Sequence, residues 1–210
     1  MDVLLEGGSV LQQRDYTLII DQSQSMSIFD RFEQKRRWEM IQESTLALAT
    51  LCEHFDPDGI TVYLFSDQFK RYDQVTSQRV AQIFKHHEPI GRANLAAVLK
   101  DATDNYFERR AMEISKPNGE MILIVTGGEI EGAEAVKQIA INAANQLNQD
   151  EELGIELIQV GDDTGVTQFF KVLDRELQMA GAKYDICNTV TFEDMEEMSL
   201  TDVLLRAIAN

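Results

Sequence analysis

An acid and two hydroxyls lie close together early in the chain, at Asp21, Ser23 and Ser25. They directly follow residues 16–20, an apolar run of β-prone residues whose length is typical of a strand. In open α/β sheets, ligands bind at the carboxyl ends of the strands. Carboxylate and hydroxyl oxygens are donors that suit Mg²⁺, Mn²⁺ or Ca²⁺. The spacing therefore predicts a candidate cation site at the end of a first strand.

Alternating strand and helix patterns predict the scaffold that would position these residues. They indicate an α/β fold, with a doubly wound, mostly parallel sheet of about six strands and helices on both faces. A long amphipathic helix is expected at about residues 32–55. Residues 121–125 are the most apolar run and are expected near the sheet centre. Residues 69–72 are expected to form a short antiparallel edge strand.

The length of 210 residues fits a single domain. Hydrophobic residues make up 44% of the chain, which is ample material for one core. We expect a short N-terminal arm over residues 1–13, with an edge strand at residues 3–5, and one domain over residues 14–210.

The chain is strongly acidic, with 36 Asp and Glu against 19 Lys and Arg and a formal net charge of −17. Such a surface repels phosphate backbones, so we expect no nucleic-acid partner. The charge favours basic partners and divalent cations, although it also serves solubility alone. The acidic segment 193–197 is expected to be a solvated loop, or alternatively a docking patch for a basic partner.

Three features predict a cytoplasmic protein. Cys52 and Cys187 lie in apolar runs and are expected to be reduced core residues, although two cysteines could pair. The first six residues contain acids and no basic residue, so they are not typical of a signal peptide. No apolar run reaches the roughly 18 residues that a membrane span needs, so no membrane association is expected.

The segment Tyr16-Thr-Leu-Ile-Ile-Asp-Gln-Ser-Gln-Ser-Met26 resembles the first motif of the von Willebrand factor A (vWA) domain family, usually Asp-x-Ser-x-Ser. The likeness covers roughly residues 14–210 and implies a Rossmann-like vWA fold. Its further elements are the long helix after the motif, the strand ending in Phe65-Ser66, the loop Gly91-Arg-Ala-Asn-Leu95 and the strand end Ile122-Leu-Ile-Val-Thr-Gly-Gly128.

In that family, three loops at the carboxyl edge of the sheet form a metal-ion-dependent adhesion site. The resemblance implies that Ser23 and Ser25 are direct ligands and that Asp21 acts through water or a hydrogen bond. The second loop normally supplies a Thr and the third an Asp, but Ala93 and Gly127 occupy these positions here. Two of the expected donors are therefore missing.

The missing donors matter because Mg²⁺ requires six oxygens in near-octahedral geometry. Two serines and one outer acid would leave most of the shell to solvent, so the resemblance implies a degenerate site. Binding of Mg²⁺, Mn²⁺ or Ca²⁺ stays open at this point. Oxygens could also come from Asp67, Asn94, Thr126 or Glu129, and the guanidinium of Arg92 could stand in for the cation.

Catalytic interpretations are weaker. The glycines at 127, 128 and 132 lack the spacing and the lysine of a phosphate loop, and Glu129 and Glu131 would repel phosphate. Asp21 as a phosphoryl-accepting nucleophile would need a second acid two residues on, where Ser23 stands. No nucleophile, base and acid set can be placed. We therefore expect no enzyme, with an Asp21-dependent phosphohydrolase as the remaining catalytic alternative.

The sequence thus predicts an intracellular protein–protein interaction module of the vWA type. In the family's mechanism, a partner carboxylate completes the coordination of the bound cation. Because two donors are missing here, we predict partner binding with weak or no metal dependence, and a Mg²⁺- or Mn²⁺-dependent binder of a partner carboxylate is the alternative. The predicted contact residues on the carboxyl-edge loops are Gln22, Gln24, Arg92, Asn94 and Glu129.

Overall fold

The structure is a computed structural model that describes residues 10–30, 33–128 and 130–208. The edge strand predicted at residues 3–5, and most of the predicted arm, lie outside these residues. The elements are β1 (Asp15–Asp21), β2 (Phe29–Asp30), β3 (Lys35–Arg36), α1 (Arg37–Phe55), β4 (Ile60–Phe65), β5 (Phe69–Val75), α2 (Ser77–Lys85), α3 (Leu95–Ala111), β6 (Glu120–Thr126), α4 (Ala133–Gln146), β7 (Leu153–Gln159), α5 (Thr164–Glu176), β8 (Cys187–Thr191), α6 (Phe192–Glu196) and α7 (Leu200–Arg206). Short 3₁₀ turns lie at Gln24–Ser27 and Asp150–Glu152.

The main sheet has six strands in the order β5-β4-β1-β6-β7-β8. All neighbouring pairs are parallel except β4 and β5, which are antiparallel. The predicted doubly wound, mostly parallel α/β fold is therefore confirmed, as is the antiparallel edge strand at β5. The all-buried strand β6 lies between β1 and β7, where its continuous apolar sequence predicts it.

Helices cover the sheet on both faces, because successive side chains of a strand point to opposite sides. Leu18 and Ile20 of β1 pack in one apolar layer with α1, α2 and α7, whereas Ile19 packs in the other with α3, α4 and α5. Trp38 belongs to the first layer and Phe170 to the second. This arrangement leaves the carboxyl ends of β1, β4, β6 and β7 together at one edge.

Two local predictions are wrong. The long helix begins at Arg37 and not near residue 32, because Phe29–Asp30 and Lys35–Arg36 pair as a small antiparallel hairpin. The acidic segment 193–197 is largely helical and not a loop, since Phe192–Glu196 forms α6. The Thr191 hydroxyl accepts a hydrogen bond from Asp194 N–H (3.1 Å), and the Asp194 carboxylate accepts one from Thr191 N–H (3.1 Å).

Two features bear on the predicted compartment. Cys52 and Cys187 are both buried and free, and they lie in the apolar layers on opposite faces of the sheet, so they do not pair. Among the helices of the described residues, none combines the length and the apolar character that crossing a membrane requires. The cytoplasmic location stays a prediction.

Glu156 is a carboxylic acid buried inside the sheet, on β7. Its Oε2 has no hydrogen-bond partner among the described residues. Burial raises the pKa of Glu156 to about 8, while the charge of Arg206 opposes the increase and that of Asp174 adds to it. The folded protein therefore holds this side chain protonated near neutral pH.

We predict that Glu156 makes stability fall as pH rises. Between its ordinary pKa of 4.5 and its folded value of about 8, the folded state binds a proton that the unfolded chain releases. The stabilising contribution of the Glu156 proton should therefore be complete only below about pH 4.5, still largely present at about pH 5 and nearly lost at about pH 9, and Glu156→Gln should remove roughly 2–4 kcal/mol of the difference between pH 5 and pH 9. Urea unfolding across this range measures it, with the exposed Glu176→Gln as control. Parallel profiles for wild type and Glu156→Gln would contradict the assignment.

Candidate functional site

Asp21 is the last residue of β1 and is fully buried at the carboxyl edge of the sheet. Its Oδ1 accepts a hydrogen bond from Ser23 N–H at 2.6 Å, and its Oδ2 accepts one from the Thr126 hydroxyl at 2.6 Å. The N–H of Gly127 also donates to the carboxylate. The donors come from the loop after β1 and from the end of β6, so this single carboxylate joins the first and third loops.

The electrostatics of Asp21 reflect two opposing effects. Burial raises the pKa of Asp21, and the hydrogen bonds from Thr126, Ser23 and Gly127 lower it without cancelling the increase. Burying a carboxylate is costly unless hydrogen bonds satisfy it. Here uncharged hydrogen-bond donors of the chain itself satisfy the buried carboxylate.

Ser23 and Ser25 bring their hydroxyl oxygens to within 2.7 Å of each other, where they share a hydrogen bond. Ser25 lies on the 3₁₀ turn Gln24–Ser27. The third loop covers this pair closely, because a Cβ on Gly128 would collide with Ser25 Oγ and would be 2.6 Å from Ser25 Cβ. The structure thus brings the two hydroxyls together, and the backbone of the third loop lies against them.

The position at which the family has an Asp is closed by backbone. A Cβ on Gly127 would collide with the carbonyl oxygen of Val160 and would be 2.9 Å from its carbonyl carbon. Val160 is held there by donating its N–H to the Thr126 carbonyl (2.9 Å). Position 127 therefore lacks a carboxylate and also lacks room for one, because the chain after β7 occupies the space that an acid side chain would need.

The other predicted oxygen sources are engaged elsewhere. Asn94 Oδ1 accepts from Ala97 N–H (3.3 Å) and caps α3, and Thr126 donates to Asp21. Arg92 forms ion pairs with Asp67 (3.4 Å) and with Glu131 (2.5 Å). Within the described part of the chain, no contact joins Arg92 to Asp21. Glu129 lies outside the described residues.

At the position where the family has a Thr, Ala93 is buried and has no side-chain oxygen. Asp21 has its carboxylate oxygens occupied by protein donors, and Val160 closes the acid position. In addition, residues 10–30, 33–128 and 130–208 contain no cluster of three or more His, Cys, Asp or Glu arranged to hold a metal. The described side chains do not supply the donor set of a six-coordinate Mg²⁺ site of the family's kind.

The predicted contact residues lie on loops that are tied to one another. Gln22 donates from Nε2 to the Glu88 carbonyl (2.7 Å), and its own carbonyl accepts from Ile90 N–H (2.7 Å). Gln24 N–H donates to the Gly91 carbonyl (2.9 Å). Gln24 and Arg92 are exposed, whereas Gln22 and Asn94 are half-buried. Whether these residues contact a partner stays a prediction.

Arg37 is a component of this edge that the sequence did not reveal. Its buried guanidinium donates from Nη1 to the Gly127 carbonyl (2.9 Å) and lies 3.6 Å from the Asp162 carboxylate. It also lies directly against Gly161, whose φ of 77° and lack of Cβ allow the approach. The sequence signalled Arg37 only as a basic residue before Trp38. Because the helix was expected to begin near residue 32, the position of Arg37 in the first turn was not predicted.

Comparison with solved structures supports the fold. The chain superposes on the D319A mutant of the PilB minor pilin from Streptococcus sanguinis (TM-score 0.58, 12% identity, 93% of this chain and 59% of that chain). It also superposes on the manganese-loaded TRAP protein of Plasmodium vivax (TM-score 0.56, 13% identity, 93% and 72%). A third match is a von Willebrand factor type A structure from Catenulispora acidiphila (TM-score 0.56, 14% identity, 94% and 42%).

These similarities are of fold alone, because the identities are so low. The chain spans 59% of the pilin and 42% of the Catenulispora chain, less than two thirds of each. No protein-family model matches the sequence, and no curated protein matches it. The chain has a vWA-like, Rossmann-like α/β fold, as its resemblance implied.

Because the Val160 carbonyl fills the space beside Gly127, we predict that position 127 tolerates no side chain. Gly127→Ala should lower the free energy of unfolding by about 3 kcal/mol, because the backbone carbonyl of Val160 cannot swing aside as a side chain would. Gly165→Ala is the matched control: its new Cβ would meet only the Asp163 side chain at 3.2 Å, in the first turn of α5. Its effect should stay within about 1 kcal/mol. Equal losses in urea unfolding would contradict the closed position.

Proposed function

We propose that this chain is a protein-interaction module that binds a protein partner through its carboxyl-edge loops, with weak or no dependence on metal. The observation that carries the proposal is the direct joining of the three loops by protein contacts. Asp21 binds Thr126 and Gly127, and Gln24 binds Gly91. A surface that is already ordered loses less conformational entropy on binding.

The second loop is joined to the third by main-chain contacts. Ala93 and Ile130 form a parallel β-bridge, and the Ala93 carbonyl accepts from Glu131 N–H (3.1 Å). The ion pair of Arg92 with Glu131 spans the same two loops. These contacts join the two loops directly through protein groups, which supports ordering of the surface by the chain itself.

The surface also combines apolar and polar groups in the way that interfaces do. Ile28, Phe29 and Ile90 are large side chains that are about half or more exposed, at 49%, 54% and 64%. Phe29 pairs with Arg36 in the hairpin, and Arg36 lies 3.5 Å from Glu88, two residues before Ile90 in the chain. Exposed apolar groups beside polar ones are typical of protein-binding surfaces.

The chemistry of the partner follows from the charge. A net charge of −17 favours a basic partner, and Arg92 at the edge is already ion-paired with Asp67 and Glu131. Reduced, buried cysteines support a cytoplasmic setting for the interaction. Burial of Asp21 argues against the alternative of a phosphohydrolase, because a nucleophile must reach its substrate.

The test is affinity capture of partners from a lysate of the cells that produce the chain. Ile90→Ser should reduce recovery of the partner by about five- to thirtyfold, if Ile90 contributes as a typical interface anchor. Ile114→Ser is the matched control, because Ile114 is also 64% exposed but follows α3, away from the edge loops. Its recovery should equal that of wild type.

The metal arm of the same experiment compares chelator with millimolar Mg²⁺ or Mn²⁺. The proposal predicts equal recovery in both. Recovery that disappears in chelator and returns with Mg²⁺ or Mn²⁺ would favour the cation-dependent binder of a partner carboxylate. Equal losses for Ile90→Ser and Ile114→Ser would show that the edge loops are not the binding surface.

A further inference from the structure

A cleft of about 540 Å³ lies beside the carboxyl edge, on the face of the sheet that α1 and α7 cover. Its walls are formed by α1, the β2–β3 hairpin, the end of β7 and the segment that holds α6 and the start of α7. Its volume falls within the range of about 300–1,000 Å³ that is typical of ligand sites. Gly161 and Asp162, which lie against Arg37 at the edge, belong to its lining, whereas the predicted contact residues Gln22, Gln24, Arg92 and Asn94 do not.

The rim of the cleft is acidic. Five carboxylates line it, from Asp30, Glu33, Glu43, Asp162 and Glu193. Four of them, all except Asp30, are exposed to solvent. Carboxylates gathered around a concave surface focus a negative potential there and raise the local concentration of cations.

The positive charge in the cleft is small. Lys35 is the one Lys or Arg among the described residues that line it, and its ammonium group is bound by both oxygens of Glu43, at 2.8 and 2.7 Å. The cleft therefore has a net negative charge that a cationic ligand would neutralise.

Apolar groups line the cleft between these acids. Met40 is buried there, and Phe192, Met195 and Leu200 are half-buried. Methionine side chains are unbranched and polarisable and adapt to ligands of different shapes. A ligand that fits both the rim and the lining needs positive charge and apolar side chains on the same short segment.

We propose that this cleft binds a cationic amphipathic peptide segment of another protein, in which Lys or Arg residues accompany aliphatic side chains. The basic groups would pair with Glu33, Glu43 and Glu193, and the aliphatic groups would pack on the lining beside Met195. This interaction is separate from the one assigned to the edge loops, so the chain would have two binding surfaces.

Charge distinguishes this occupant from the alternatives. Residues 1–9 of the chain contain two acids and no Lys or Arg, so they do not complement the rim. A second copy of the chain would bring its own net charge of −17 toward the same cleft. Both would be opposed by repulsion between like charges.

The test uses a fluorescent helical peptide built of Lys and Leu, with its affinity measured by anisotropy at about physiological salt. The cleft variant is Glu33→Gln/Glu43→Gln/Glu193→Gln. The control variant, Asp104→Asn/Glu108→Gln/Glu134→Gln, removes three exposed acids from α3 and α4 on the opposite face. The sets match in ion pairing as well, because Glu43 pairs with Lys35 and Asp104 with Lys100.

The cleft variant should bind the peptide about tenfold more weakly than wild type, and the control should change affinity by less than about twofold. A peptide of the same charge with Ser in place of Leu should bind wild type weakly. Thermal melts check that both variants are folded. Equal weakening by the two variants, or equal binding of the Leu and Ser peptides, would overturn the proposal. Self-association in sedimentation that only the cleft variant abolishes would assign the surface to a second copy instead.

Discussion

The buried carboxylate of Asp21 is the interaction on which the functional edge of the molecule depends. A charge removed from water must be satisfied by nearby donors, and Asp21 obtains them from Ser23, Thr126 and Gly127. Because these donors belong to two different loops, satisfying the charge also fixes the loops relative to each other. The Ser23–Ser25 hydroxyl pair then lies beneath Gly128, and the three loops form one surface.

A second buried charge, on Arg37, also contacts the third loop. Arg37 donates to the Gly127 carbonyl and lies against Gly161, so it joins the start of α1 to the ends of β6 and β7. The Val160 carbonyl lies where the family's acid would extend from residue 127. The backbone of Val160 therefore fills the space that an acid side chain at residue 127 would need, and protein groups stabilise the edge.

The fold was largely predictable because it depends on local periodicity. The apolar run that became β6 and the mostly parallel sheet of about six strands follow from patterns that short segments display, whereas the strand order was not predicted. The closure of the edge was not predictable, because Arg37 meets Gly127 across 90 positions of sequence and Val160 acts through its backbone. The β2–β3 hairpin and α6 were missed since each is short and has little periodic signal.

The central claim is that hydrogen bonds to Asp21 hold the edge together without a cation. A double-mutant cycle in urea unfolding, with Asp21→Ala, Thr126→Val and the double variant, measures this most directly. The account predicts a coupling of about 1–3 kcal/mol that is the same in chelator and in millimolar Mg²⁺. A coupling near zero, or a wild type that Mg²⁺ stabilises through Asp21, would contradict it.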